Sequence, residues 1–138
     1  MSLSIADRLA IHELISLHGH LMDAGAFDRL GELFTADVEY DVSAFGFGSL
    51  LGAAAIRDAA LELGDKNPVG HHVTNIVVTA AAPGVADVRS KGLGVNADGS
   101  VGSVEYEDVV RLGDDGWRIA YRKVIPRRTP IGMDKLVS

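Results

Sequence analysis

Cysteine is absent from this sequence, which excludes disulfides, thiolate nucleophiles and Cys-based zinc or iron–sulfur sites, and suits a reducing cytoplasm. A long basic run is also missing, and the net charge is −6, so a phosphate backbone would be repelled and no nucleic-acid partner is expected. No stretch reaches roughly 18 uninterrupted apolar residues, the length needed to span a bilayer as a helix. Met1-Ser2-Leu3-Ser4-Ile5-Ala6-Asp7 lacks the basic residues and apolar run of a signal peptide. The expectation is a cytoplasmic protein with no membrane partner. Internal repeats, linkers and low-complexity tracts are lacking as well.

What remains is the composition of a globular domain. Hydrophobic residues make up 47% and charged residues 23% of 138 residues, enough chain for one core without staples. A single domain over residues 1–138 is expected, its apolar excess lining a cavity or a subunit interface.

From about Ser4 to Ala24, Ile11, Leu14, Ile15, Leu21 and Met22 recur at helical spacing and form one broad face. Ser4 or Asp7 can cap its start, and Gly25 suits a left-handed stop. A shorter helix follows, with Phe27, Leu30, Leu33 and Phe34 on one side. Val38 to Val42 reads as a brief strand, and Gly52 to Leu63 as a third helix closed by Gly64. After Pro68 the character becomes extended: Val69 to Ala80, Gly84 to Asn96, Val101 to Leu112 and Trp117 to Pro126 are rich in β-formers. The breaks between them, at Ala82-Pro83-Gly84, Ala97-Asp98-Gly99-Ser100 and Gly113-Asp114-Asp115-Gly116, have hairpin chemistry. Three helices, a short strand and a four-strand meander predict an α+β domain, a curved sheet wrapped over helices. The tail after Pro130 is either loosely ordered or docked onto a neighbouring subunit.

Chemistry-bearing residues are few. His18 sits at the centre of the first helix's apolar arc, so it faces the interior, either as a satisfied core histidine or as a polar group of a cavity. Asp23 lies near that helix's C-terminus, where the dipole disfavours a negative charge; it either bonds backbone at the Gly25 turn or stands at a pocket rim. His71 and His72 are consecutive in a strand, so one faces in and one out, and apolarity does not choose between the faces. Tyr40, Tyr106 and Tyr121 are candidate pocket hydroxyls. Arg127 ends the last strand, free to bind an anion, pair with Asp23 or face solvent. Phe45 and Phe47, among glycines in the apolar loop Ser43 to Leu51, suit a lid or a loop pinned to the surface.

Familiar cofactor and metal motifs fail. His12-Glu13 is followed by Ser16 where a zinc protease needs its second histidine, and His18 and His20 point to opposite sides of a helix. Neither a nucleophile elbow nor a phosphate loop occurs. No metal and no cofactor is expected, which leaves acid–base chemistry by carboxylate, imidazole and phenol.

Three patterns carry a family resemblance: Leu21-Met22-Asp23-Ala24-Gly25-Ala26-Phe27-Asp28-Arg29-Leu30 leading to Leu33-Phe34 and Asp37-Val38; Gly70-His71-His72-Val73-Thr74-Asn75-Ile76; and Asp115-Gly116-Trp117-Arg118-Ile119. In this order, across roughly Ile5 to Arg127, the chain resembles the SnoaL-like branch of the nuclear transport factor 2-like superfamily. The resemblance implies a conical α+β barrel, with three N-terminal helices cupped by a strongly curved, mainly antiparallel sheet around an apolar cavity. It also implies homo-oligomers, dimers first and trimers second.

Family enzymes include polyketide cyclases, ketosteroid isomerase, scytalone dehydratase and bile-acid dehydratase, which move protons on small apolar molecules without cofactors. By the resemblance, Asp23 and His72 fall at the catalytic aspartate and histidine of the two dehydratases. His18 falls at a pocket tyrosine, Tyr40 at a substrate-contacting tyrosine, and Arg127 near a pocket arginine. Scytalone dehydratase's second histidine and the basic aspartate of ketosteroid isomerase have no counterpart, the positions being near Val95 and at Val42. The expected function is therefore a cofactor-independent lyase or isomerase on a small hydroxy-ketone, polyketide-like or steroid-like molecule. The alternative is a non-catalytic ligand-binding or accessory domain using the same cavity.

Overall fold

The computed structural model describes residues 2–132; most of the tail after Pro130 lies outside them. Helix α1 spans Ile5–Asp23, opened by a capping box in which Ser4 Oγ accepts the Asp7 N–H at 3.0 Å and Asp7 returns a bond to Ser4 N. Asp7 also accepts from Trp117 Nε1 at 3.1 Å, tying the cap to the last strand. Gly25, at φ +63°, follows the helix where a left-handed residue was anticipated. The second helix is a 3₁₀ segment, Phe27–Glu32, and α2 spans Ala53–Leu63.

Among the described residues six strands form one sheet: β1 Phe34–Asp41, β2 Ser49–Leu51, β3 Gly70–Ala82, β4 Val85–Val95, β5 Val101–Gly113 and β6 Gly116–Pro126, in the order β2-β1-β6-β5-β4-β3. Among the described residues only β1 and β6 pair in parallel; the other pairs are antiparallel. The α+β architecture and the meander match the sequence expectation. Two local readings change. Strand β1 starts at Phe34, because Leu33 and Phe34 are buried against β6 and the Leu33 carbonyl accepts the Ile119 N–H at 2.7 Å. The loop after Val42 contains an edge strand, β2, paired with Glu39 to Asp41.

The core lies between α1 and the inner sheet face, with Ile11, Ile15, Leu30, Leu33, Val38, Val88, Val110 and Ile119 at or below 1% exposure. Which residues reach that face is set by two irregularities. In β3 the pairing jumps from Thr74–Lys91 to Val77–Arg89, and Asn75 takes φ +57°, a left-handed conformation that asparagine tolerates better than β-branched residues do. The buried alternation is therefore His71 and Val73 before the bulge and Ile76 and Val78 after it. In β6, Val109 pairs with Tyr121 but Val110 with Ile119, so Ala120 is the extra residue. Beyond it Arg122 and Val124 face inward.

Helix α1 crosses β3 at Gly19. A Cβ there would lie 2.4 Å from the His71 carbonyl oxygen, so only glycine allows this approach. Gly19→Ala is expected to cost about 1–3 kcal/mol by overpacking, read as a lower urea midpoint. Gly31→Ala, whose added Cβ would meet nothing within 4 Å, serves as the control. Equal midpoints for both variants would show that the crossing is loose.

Candidate active site

The close crossing places Asp23, one turn after Gly19, beside the start of β3. Both Asp23 oxygens accept the His71 backbone N–H, at 3.1 and 3.0 Å, and Oδ1 lies 2.6 Å from His71 Nδ1. These bonds offset the unfavourable helix C-terminal position of the carboxylate and satisfy an edge-strand N–H. With Nδ1–H donated to Asp23, the neutral imidazole presents a lone pair at Nε2. The two side chains are 23% and 29% exposed, at a rim rather than in the core.

This geometry corrects the expected Asp23–His72 pair. His72 is exposed on the outer sheet face, its alternation set by the Asn75 bulge, and the histidine that meets Asp23 is His71. Sequence pattern could not decide between neighbours whose faces depend on a bulge four residues away.

Behind the rim, His18 is 4% exposed, and its Nε2 lies 3.3 Å from the Tyr40 hydroxyl. Its ring centroid is 6.5 Å from His71, 6.0 Å from Tyr40, 6.0 Å from Phe34 and 6.4 Å from Tyr106. Burial, then the charges of Arg122 and His71, hold the His18 imidazole well below its ordinary value of 6.5. It stays neutral. Desolvation pushes the Tyr40 phenol well above its ordinary value, with the Arg122 charge opposing the shift, so Tyr40 also keeps its proton.

Deeper still lies a group the sequence did not announce. Arg122 and Asp108 form a bidentate pair at 2.7 and 2.8 Å, with side chains 1% and 0% exposed. Although burial works against the arginine's charge, Asp108 holds its affinity for the proton raised. The guanidinium lies 4.1 Å from the Tyr106 ring centroid. Counting alternation from Trp117 puts Tyr121 inward; the bulge at Ala120 replaces it with Arg122. Tyr121 instead donates to Asp41 at 3.1 Å, away from the cluster.

The remaining expected residues share one end of the sheet. The register pairs His71 with Gly94, Gly92 with Val104 and Tyr106 with Val124, so the C-terminal ends of β1, β4 and β6 lie together with the starts of β3 and β5. Arg127 follows β6 at that end, half-buried, its backbone N–H donating to Ser103 at 2.8 Å. Phe45 and Phe47 follow β1 there on an exposed loop, 38% and 66% accessible. Two clefts, of about 210 Å³ beside Asp7 and Trp117 and about 280 Å³ on the outer face beside Asp87 and Tyr121, lie away from the dyad. No described helix is long and apolar enough to cross a membrane.

The family model of the SnoaL-like domain matches residues 3–123. Similar solved structures include a candidate aromatic ring hydroxylase from Novosphingobium aromaticivorans, 28% identical over 93% of this chain and 94% of that one, with a TM-score of 0.78. A candidate scytalone dehydratase from the same organism is 23% identical, covering 93% and 95%, at a TM-score of 0.76. A hexachlorocyclohexane dehydrochlorinase (LinA-type3) from Novosphingobium barchaimii is 20% identical, covering 93% and 92%, also at 0.76. The latter two likenesses concern the fold alone. No curated protein matches the chain.

A buried neutral histidine makes a pH prediction. Below about pH 6.5 the unfolded chain binds a proton at His18 that the folded chain refuses, so its contribution is complete above that pH and is lost as pH falls. The loss reaches at most about 1.4 kcal/mol per pH unit for this one group. Urea unfolding between pH 7.5 and 5 should show a shallower acid limb for His18→Phe. An identical slope would contradict the burial argument.

Proposed function

This chain belongs to the SnoaL-like family, and on that premise we propose that it is a cofactor-independent acid–base enzyme of the lyase or isomerase type. Its substrate in this reading is a small, mostly apolar hydroxy-ketone. The observation that carries the proposal is the 2.6 Å contact between Asp23 and His71 Nδ1, at a rim backed by the neutral His18–Tyr40 pair. Such a dyad orients an imidazole and stabilises the imidazolium it becomes.

For a β-hydroxy ketone, His71 Nε2 takes the proton from the carbon beside the carbonyl. The C–H electron pair passes toward the carbonyl oxygen, where the Tyr40 hydroxyl, its oxygen accepting from His18 Nε2–H, donates to the developing enolate. Collapse of the enolate forms the carbon–carbon double bond and breaks the bond to the β-hydroxyl. That group takes the proton from Nε2 and leaves as water, which restores the neutral dyad. In an isomerisation the same proton returns to a different carbon. Arg127, Phe45 and Phe47, at the same end of the sheet, supply the entrance in this reading.

Packing of His18 against Phe34, Tyr40 and Tyr106 favours a second reading, ligand binding without turnover. The two separate on variants. With a β-hydroxy ketone found by screening for loss of water, Asp23→Asn and His71→Gln should each lower kcat/KM by roughly 10²- to 10⁴-fold, while His72→Ala leaves it unchanged. Ligand binding that yields no product and survives Asp23→Asn would establish the binding role. Loss of turnover on His72→Ala alone would refute the dyad.

A further inference from the structure

Strand β3 carries one residue more than β4 can pair. Between Thr74–Lys91 and Val77–Arg89, two residues, Asn75 and Ile76, face the single residue Ser90. Ile76 packs against the core cluster, so the surplus falls on Asn75, exposed and at φ +57°. The surplus is held between two anchors. On the C-terminal side Val78 is buried, and its carbonyl accepts from Arg8 Nη1 at 3.0 Å. On the N-terminal side Asn67 Nδ2 donates to the carbonyls of Ala60 and Gly64 at 2.7 and 2.9 Å, tying the turn before β3 to the end of α2.

Nothing in the contacts at residue 71 is peculiar to that position. Asp23 binds a backbone N–H and an imidazole, and Gly19 rests against a backbone carbonyl. His72 owns all three groups. A slip of residues 71–74 by one place along β4, about 3.3 Å, would set His72 opposite Gly94 and Thr74 opposite Gly92, where His71 and Val73 now stand. Histidine would replace histidine, and threonine would replace a valine from which it differs by a hydroxyl in place of a methyl. The slip straightens the bulge and moves the surplus residue into the turn after Asn67. Two registers of one strand can thus offer an imidazole to Asp23. What separates them is the residue at position 75, because a left-handed backbone is open to asparagine and glycine and strained for a β-branched side chain.

We propose that Asn75 is the positioning residue of the dyad: by storing the surplus residue of β3 it gives the place beside Asp23 to His71, and His72 is the histidine that takes this place when the surplus moves to the turn. The assignment rests on the reading of Asp23–His71 as the acid–base pair, but it concerns which histidine is delivered and does not need turnover.

The test is the tautomer of both histidines, read by long-range proton–nitrogen correlation NMR near neutral pH in the full chain, with His71 and His72 assigned. Asn75→Gly, which keeps the left-handed conformation open, should leave the Nδ1–H lock on His71. Asn75→Val should move the lock to His72 and release His71, and adding Asp23→Asn should then release His72 as well. Deletion of Asn75 removes the surplus while both anchors hold, so the lock should stay on His71. A lock that remains on His71 in Asn75→Val would overturn the assignment. Loss of the lock on deletion would overturn it too, by showing that the fold demands a bulge there whatever the residue count. If Asn75→Val lacks the dispersed amide spectrum of a folded chain, the deletion decides by the same criterion. A lock that moves as expected in a protein without turnover leaves this assignment standing and removes only the enzymatic reading.

Discussion

The Asp23 carboxylate joins the last turn of α1 to the first residues of β3, and the candidate site depends on that clamp. It uses both oxygens on one backbone N–H and one of them on the ring of the same residue. A carboxylate at a helix C-terminus is electrostatically misplaced unless donors compensate it. Here the donors come from an edge strand whose N–H would otherwise lack a partner. The clamp can close only because Gly19 lets the helix backbone ride on the His71 carbonyl, and because the Asn75 bulge turns His71, and not His72, toward the helix. Local backbone geometry, close packing and the acid–base pair are thus one arrangement.

The same logic applies deeper in the fold. Burying an arginine and an aspartate is costly unless their geometry is near ideal. The Arg122–Asp108 fork supplies that geometry, while the guanidinium face supports Tyr106. An apolar pair of similar volume could fill that space with less desolvation. What it would lack is a fixed positive charge beneath two phenols. Around it, His18, Tyr40 and Tyr106 remain uncharged near neutrality, so the interior presents neutral hydrogen-bonding groups while the Asp23 carboxyl group is kept at the rim.

Much of this architecture was legible in the residues. The spacing of Ile11, Leu14, Ile15 and Leu21 marked α1 and put His18 inside; Gly25 marked its stop; hairpin turns between valine-rich runs marked the meander. Asp23 stood out because its position opposed the helix dipole. What could not be read was face selection beyond a bulge. A period of two, counted without knowing that Asn75 and Ala120 interrupt the ladder, misassigns every residue on the far side. That is why Arg122 went unnoticed; alternation left His71 and His72 undecided, and it was the family resemblance that pointed to His72. The one local signal was Asn75, a turn-favouring residue within a run of valine, threonine and isoleucine. Strand β2 was hidden for a different reason: three residues at an edge carry too little pattern to distinguish them from a loop.

The central claim is that His71 holds the dyad position, and histidine tautomer measurement by long-range proton–nitrogen correlation NMR tests it most directly. Near neutral pH, with both residues assigned, His71 should be locked in the Nδ1–H form by Asp23, and Asp23→Asn should release it toward the Nε2–H form that free imidazole side chains prefer. His72 should show no such lock and no response to the substitution. A locked Nδ1–H on His72, or a His71 ring indifferent to Asp23, would contradict the account.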